Sequence, residues 1–197
     1  MRIASGILRN MPISCPPGID TRPTPDKIRQ AVLNSISTHL SGAHVLDLFA
    51  GTGAMGLEAV SRGAKSAFFV DSERGAISSL KQNIQEARRR FAAQKLDDPM
   101  LRVCTGRLPE SLIEIAETAP FDLIWLDPPY SETMRLFKAM LPALICRLNL
   151  GGILVLESEL KDQPLIQETA QTYANNITIK KSRSYGRTGV TLWSKIS

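Results

Sequence analysis

The chain has 197 residues, 43% of them hydrophobic and 22% charged, with 24 Lys and Arg against 19 Asp and Glu. That composition suits one globular domain with a substantial core and excludes an extensively disordered chain. No apolar run approaches the ~20 residues of a membrane helix. The opening MRIASGILRNMPIS lacks the continuous apolar segment of a secretory signal, so a cytoplasmic protein is expected; a monomer is expected as well.

Pro12, Pro16, Pro17, Gly18 and Pro23 break up the first two dozen residues, which predicts an extended arm or small hairpin outside the core. A helix is expected from Thr24 as N-cap and Pro25 as first helical residue, through Ile28, Ala31, Val32 and Ile36, closed by Ser41-Gly42. Short apolar runs then alternate with amphipathic ones. Val45-Leu46, Ala67 to Val70, Leu101 to Cys104, Phe121 to Leu126 and Ile153 to Leu156 read as strands. Ile77, Leu80, Ile84, Ala87 and Phe91 share one face of a helix begun near Ser72, and Met134 to Ile145 form another that Ser131 caps. Strands alternating with helices predict a mostly parallel α/β sheet covered on both faces. Ile177 to Ile179 and Val190 to Trp193, with no helix-length segment between them, are expected as an antiparallel pair completing seven strands.

Cys15, Cys104 and Cys146 share no Cys-x-x-Cys spacing, and His39 and His44 are the only histidines, so no metal site is expected; Cys104 and Cys146 read as small buried residues. The net charge of +5 permits an anionic partner. Arg2, Arg9, Arg22, Lys27 and Arg29 outnumber Asp20 and Asp26 near one end. Lys180, Lys181, Arg183, Arg187 and Lys195 face no acid near the other. Brought to one side, they would make a phosphate-attracting surface. The run Arg88-Arg89-Arg90 is expected to be a solvated helix end.

Two motifs carry chemistry. Residues 47–56 read DLFAGTGAMG, in which Gly51, Gly53 and Gly56 form G-x-G-x-x-G directly after a strand and at the start of a helix. Such a turn lets backbone approach a ligand and presents the unpaired N–H groups of the helix terminus. Asp71 ends the next strand, where a carboxylate can accept both hydroxyls of a ribose. A dinucleotide or S-adenosylmethionine would use these parts. Asp47 favours the second, because a carboxylate four residues before the first glycine suits an ammonium and sulfonium better than a pyrophosphate. The other motif, Asp127-Pro128-Pro129-Tyr130, also follows a strand. The exocyclic amine of guanine or adenine is a poor nucleophile because its lone pair is delocalised into the ring. The Asp127 carboxylate and the Pro128 carbonyl can each accept one of its N–H groups, the prolines stiffen the loop, and Tyr130 can stack on the base.

These residues resemble the bacterial small-subunit rRNA guanine-N2 methyltransferase (RsmD-type) family. The likeness includes Met1-Arg2-Ile3 with Gly6, Thr21-Arg22-Pro23-Thr24 before Lys27, Ile28 and Arg29, the block DLFAGTGAMGLEAVSRGA, DPPY, Glu157-Ser158-Glu159, and Tyr185-Gly186 before the last strand. The resemblance implies a Rossmann-like class I methyltransferase fold, S-adenosylmethionine as cofactor, and methylation of N2 of one guanine in small-subunit rRNA within an assembling particle. It implies a division into residues 1–40, an arm and helix for RNA binding and a lid, and residues 41–197, the methyltransferase domain. Asp127, Pro128, Pro129 and Tyr130 take the catalytic positions. Asp47, Phe49, Ala50, Gly51, Gly53, Gly56, Asp71, Arg107 and Thr24 take those around the cofactor, and Arg22, Lys27, Arg183, Tyr185 and Arg187 those on RNA. One departure stands out. After the third strand the family usually places Asp or Asn against the cofactor adenine, and this chain has Thr105-Gly106-Arg107-Leu108. Arg107 offers no acceptor, so backbone reads the adenine, or the guanidinium lies over the ring or turns to RNA.

Three other readings share parts of this pattern. A DNA adenine-N6 methyltransferase would use the same clamp but usually carries a DNA-reading domain for which this chain has no room. A nicotinamide-dependent dehydrogenase leaves Asp47 and the clamp unused, and a non-catalytic RNA-binding protein leaves an intact clamp without purpose.

Overall fold

The computed structural model describes residues 1–16, 26–113, 115 and 120–197. It forms a seven-stranded sheet of order β3-β2-β1-β4-β5-β7-β6, and the chain divides into two compact units, Met1–Gly106 and Arg107–Ser197.

In the first unit, β1 (His44–Leu48), β2 (Ser66–Asp71) and β3 (Met100–Thr105) are parallel, with Asp47 paired to Phe69 and Asp71 to Thr105. β1 and β2 are almost wholly buried, which explains their continuous apolar runs. α3 (Arg74–Ala93) buries Ile77, Leu80, Ile84, Ala87 and Phe91, the predicted face. It starts after Ser72 because Glu73 is the N-cap, accepting the Ala76 N–H at 2.6 Å. The arginines ending this helix pair with acids at its surface, Arg89 and Arg90 with Glu86 and Arg88 with Asp98. α1 (Asp26–Ser35) is shorter than predicted, and a 3-10 turn at Ser37–His39 follows. Ser35 donates its hydroxyl back to Val32 O, the local competition by which serine ends helices. The predicted cap at Thr24 and Pro25 lies outside the described residues.

The arm departs from expectation. Instead of lying outside the core, residues 1–14 close on themselves through the Arg2–Pro12 bridge, with Ile3 N–H donating to Met11 O and Asn10 N–H to Ile3 O. Ile3, Leu8, Met11 and Ile13 are buried. The seat is α2 (Ala54–Ser61), all of whose residues are buried. Glu58, fully buried, accepts the N–H groups of Ala4 (2.8 Å) and Ser5 (3.0 Å), two N–H groups of Arg62, and lies 3.6 Å from Arg29 Nε. Ser61 Oγ accepts the Leu8 N–H and donates to Ser5 O. Prolines marked the arm as irregular, but these partners lie more than fifty residues away and left no local trace.

In the second unit, β4 (Phe121–Leu126) and β5 (Leu148–Glu159) are parallel, while β7 (Thr188–Lys195) is antiparallel to both β5 and β6 (Ile177–Tyr185). β6 exposes most of its length and carries Lys180, Lys181 and Arg183, charges that discourage pairing with another edge. α4 (Thr133–Arg147) follows a 3-10 turn at Tyr130–Glu132, so Ser131 sits inside that turn and Glu132 takes the N-cap position. Cys146 is exposed, contrary to expectation, because it falls on the solvent side of α4 beside buried Ile145; Cys104 is half-buried. The sequence reading did not find α5 (Gln163–Gln171), whose buried face is only Gln163, Ile166 and Ala170.

No helix among the described residues is long and apolar enough to cross a membrane.

Candidate active site

The turn after β1 is held open by its own backbone and two carboxylates. Phe49, Gly51 and Gly53 adopt positive φ of 60°, 56° and 76°. Ala50 N–H donates to Val70 O and Gly53 N–H to Ala50 O. The three glycines differ in purpose. A Cβ on Gly53 would fall 2.3 Å from Leu80 Cδ1 and one on Gly56 2.4 Å from Phe69 Cε1, so both are small because protein packs against them. A Cβ on Gly51 would meet none of the described residues within 4 Å; there the left-handed φ selects glycine and the backbone faces open space.

Asp47 is 2% exposed, and its Oδ2 accepts the Gly56 N–H at 2.9 Å in the first turn of α2, where the helix dipole favours negative charge. The structure therefore makes it a brace of the turn. Asp71 is half-exposed; Oδ2 accepts the Gly51 N–H at 2.7 Å and Oδ1 the Glu73 N–H at 2.8 Å. A carboxylate has about four lone-pair sites, so each oxygen keeps capacity for a ligand hydroxyl. An open glycine backbone, a helix N-terminus and a half-exposed carboxylate fit a nucleoside-bearing cofactor. Thr24 lies outside the described residues. Arg107 opens the second unit with an exposed side chain, and its carbonyl accepts the Ser111 N–H.

The loop after β4 has Asp127 half-buried, Pro128 buried and Pro129 exposed. The Pro129 carbonyl is already used, accepting the Glu132 N–H at 2.8 Å and the Thr133 hydroxyl at 3.3 Å. The Tyr130 hydroxyl pairs with Thr188 Oγ1 at 2.9 Å. Thr188 is a partner that sequence reasoning missed, since it is the pairing of β7 with β5, the neighbour of β4, that brings it to the clamp loop's tyrosine. Beside it, the hairpin of β6 and β7 carries exposed Arg183 and half-buried Tyr185 at the end of β6 and exposed Arg187 in the turn. The Arg187 carbonyl accepts the Leu160 N–H, which ties this turn to the end of β5.

The proposed basic surface loses one member: Arg29 is 1% exposed and committed to Glu58 and Arg2 O, so it offers nothing to a phosphate. Lys27 is exposed, and Arg22 lies outside the described residues.

The family model described as conserved hypothetical protein 95 matches residues 1–194. The chain belongs to this family, the RsmD family of rRNA methyltransferases. YlbH of Bacillus subtilis is 32% identical over 197 residues, covering 99% of each chain. The ribosomal RNA small subunit methyltransferase D of Haemophilus influenzae is 26% identical over 189 residues, 94% of this chain and 89% of the relative. Among solved structures, yhhF of Escherichia coli superimposes with a TM-score of 0.75 at 22% identity, covering 100% of this chain and 98% of that one. SMU.776, solved in complex with SAH, gives 0.65 at 14% identity over 83% and 49% of the two chains. Both structures share the Rossmann-like methyltransferase fold of this RsmD-family chain.

Proposed function

We propose that the protein transfers the methyl group of S-adenosylmethionine to N2 of a guanine in small-subunit rRNA, acting as a cytoplasmic monomer on an assembling particle. The observation that supports this is the loop after β4, where half-buried Asp127 and then Pro128 directly follow a buried parallel strand, a carboxylate and a carbonyl of the kinds that accept the two N–H groups of an exocyclic amine.

When bound, S-adenosylmethionine supplies a methyl group made electrophilic by its sulfonium. Gly51 would bring open backbone to it while Gly53 and Gly56 shape the turn behind, Asp71 would accept its ribose hydroxyls, Asp47 would favour its positive end, and Phe49, Ala50, Thr24 and Arg107 are the further cofactor residues that the family resemblance implies. Asp127 and Pro128 turn the amine lone pair toward the methyl carbon, and Asp127 takes the departing proton. Most of the rate gain comes from alignment, with reacting atoms held about 3–3.5 Å apart. Tyr130 stacks on the base, worth about 1–3 kcal/mol, with its ring fixed through Thr188. Arg22, Lys27, Arg183, Tyr185 and Arg187 hold RNA. Residues 1–40 serve RNA binding and enclosure and residues 41–197 the transfer. An unstacked loop guanine is the cheaper substrate than a paired one.

Incubation with radiolabelled S-adenosylmethionine and small subunits from cells lacking the activity, followed by digestion to nucleosides, tests this directly. Label is expected in N2-methylguanosine. Label in N6-methyladenosine keeps the clamp and overturns the base, and absence of label on subunits, free RNA and DNA alike rejects transfer to nucleic acid.

A further inference from the structure

Asn83 lies in the middle of α3 at 2% exposure. Its side-chain amide is committed to two segments remote in sequence. Oδ1 accepts the Ser14 N–H at 2.8 Å, and Nδ2 donates to Ser14 O at 3.0 Å and to Thr52 O at 2.9 Å. The first two bonds copy both halves of a strand pairing onto one residue of the arm. The third grips the peptide in the centre of the glycine turn. An asparagine buried on a helix face that includes Leu80 and Ala87 has poor helix propensity and a desolvation cost that only such bonds offset.

The grip on Thr52 has a geometric consequence. A trans peptide carries its C=O and N–H on opposite sides. Thr52 O held by Asn83 and Gly53 N–H held by Ala50 O therefore define one orientation of the Thr52–Gly53 peptide. Two peptides earlier in the same turn, the Gly51 N–H is the one bound by Asp71. Rotation at Thr52 would disturb the side of the turn assigned to the cofactor. Arg22 and Thr24, assigned to RNA and cofactor, follow Ser14 by eight and ten residues.

We infer that Asn83 is a positioning residue that couples the seat of the N-terminal arm at Ser14 to the shape of the cofactor turn at Thr52. This rests on the cofactor reading proposed above. Loosening either end of the bridge weakens the other, so a change in the arm is felt as a change in cofactor affinity.

The test is calorimetric titration of S-adenosylhomocysteine into the unaltered protein, Asn83→Asp and Ser14→Pro, each below its measured melting temperature, with steady-state kinetics beside it. Asn83→Asp sets a carboxylate against two carbonyl oxygens, and about tenfold weaker binding is expected. KM for S-adenosylmethionine should rise while kcat at saturation stays within about twofold. Ser14→Pro removes one donor from an exposed arm residue and keeps the Asn83–Thr52 bond. It decides the matter if Asn83→Asp does not fold, with about threefold weaker binding expected. A lower melting temperature with unchanged affinity and KM in Ser14→Pro overturns the coupling and leaves Asn83 a stabilising amide. An unaltered protein that does not bind S-adenosylhomocysteine overturns the cofactor reading, and the inference with it.

Discussion

Asp71 ends β2 and Asp127 directly follows β4, and different work is proposed for the two. Asp71 is occupied on both oxygens by backbone N–H groups and doubles as a support of the turn. Asp71→Ala should weaken S-adenosylmethionine binding by about 1.5–3 kcal/mol through lost charge-assisted hydrogen bonds, and calorimetry checks it; unchanged affinity would remove Asp71 from the ribose. Asp127 is the residue proposed to touch the acceptor amine. Asp127→Ala is expected to abolish methylation while cofactor affinity stays within about twofold, since that carboxylate stabilises an arrangement reached only with substrate bound. Loss of cofactor binding as well would show the assignment to be wrong. Glu58 is the residue on which the arm depends. Glu58→Leu would leave the Arg29 guanidinium buried without its partner carboxylate, at about 3–5 kcal/mol, measurable by urea unfolding.

Among the elements, the arm and α2 behave as one. α2 has eight residues, too short to be helical alone, and burial under the arm on one side and against β1 and β2 on the other is what keeps it formed. Gly6 marks the tightest approach: at φ +80°, a Cβ there would fall 1.7 Å from Ser61 O. Gly6→Ala is therefore expected to cost about 2–4 kcal/mol, combining the left-handed penalty with overpacking. A denaturation midpoint equal to that of the unaltered protein would contradict the seat described. The clamp loop has a similar dependence, because Tyr130 reaches Thr188 at the start of β7. The loop's ring is thus fixed by the same hairpin that displays Arg183 and Arg187.

For the whole molecule, a net charge of +5 is modest, and its distribution matters more than its size. Burial of Arg29 withdraws one cation, whereas Arg183 and Arg187 stay exposed on one short stretch. Replacing both by alanine should weaken RNA binding and reduce the slope of log affinity against log salt by about 1–2. Filter-binding titrations across a salt series measure it, and an unchanged slope would move the RNA contact elsewhere.

The seven strands and most helices were legible in the sequence because each rests on a local period or a glycine turn, and strand β4 was predicted to the residue. The two motifs were legible for the same reason: their chemistry is packed into ten and four consecutive residues. What local pattern cannot carry is a partner far along the chain. The arm's burial on Glu58 and Ser61, the Asn83 bridge from Ser14 to Thr52, and the Tyr130–Thr188 pair join residues separated by 31 to 69 positions. Each satisfies a buried polar group, so each arises only once the fold has taken those groups out of water. The sequence by itself determined the fold class and the residue types at the two loops; the tertiary structure decided which charges remain available to a ligand, because burial and pairing, not residue type, set that availability.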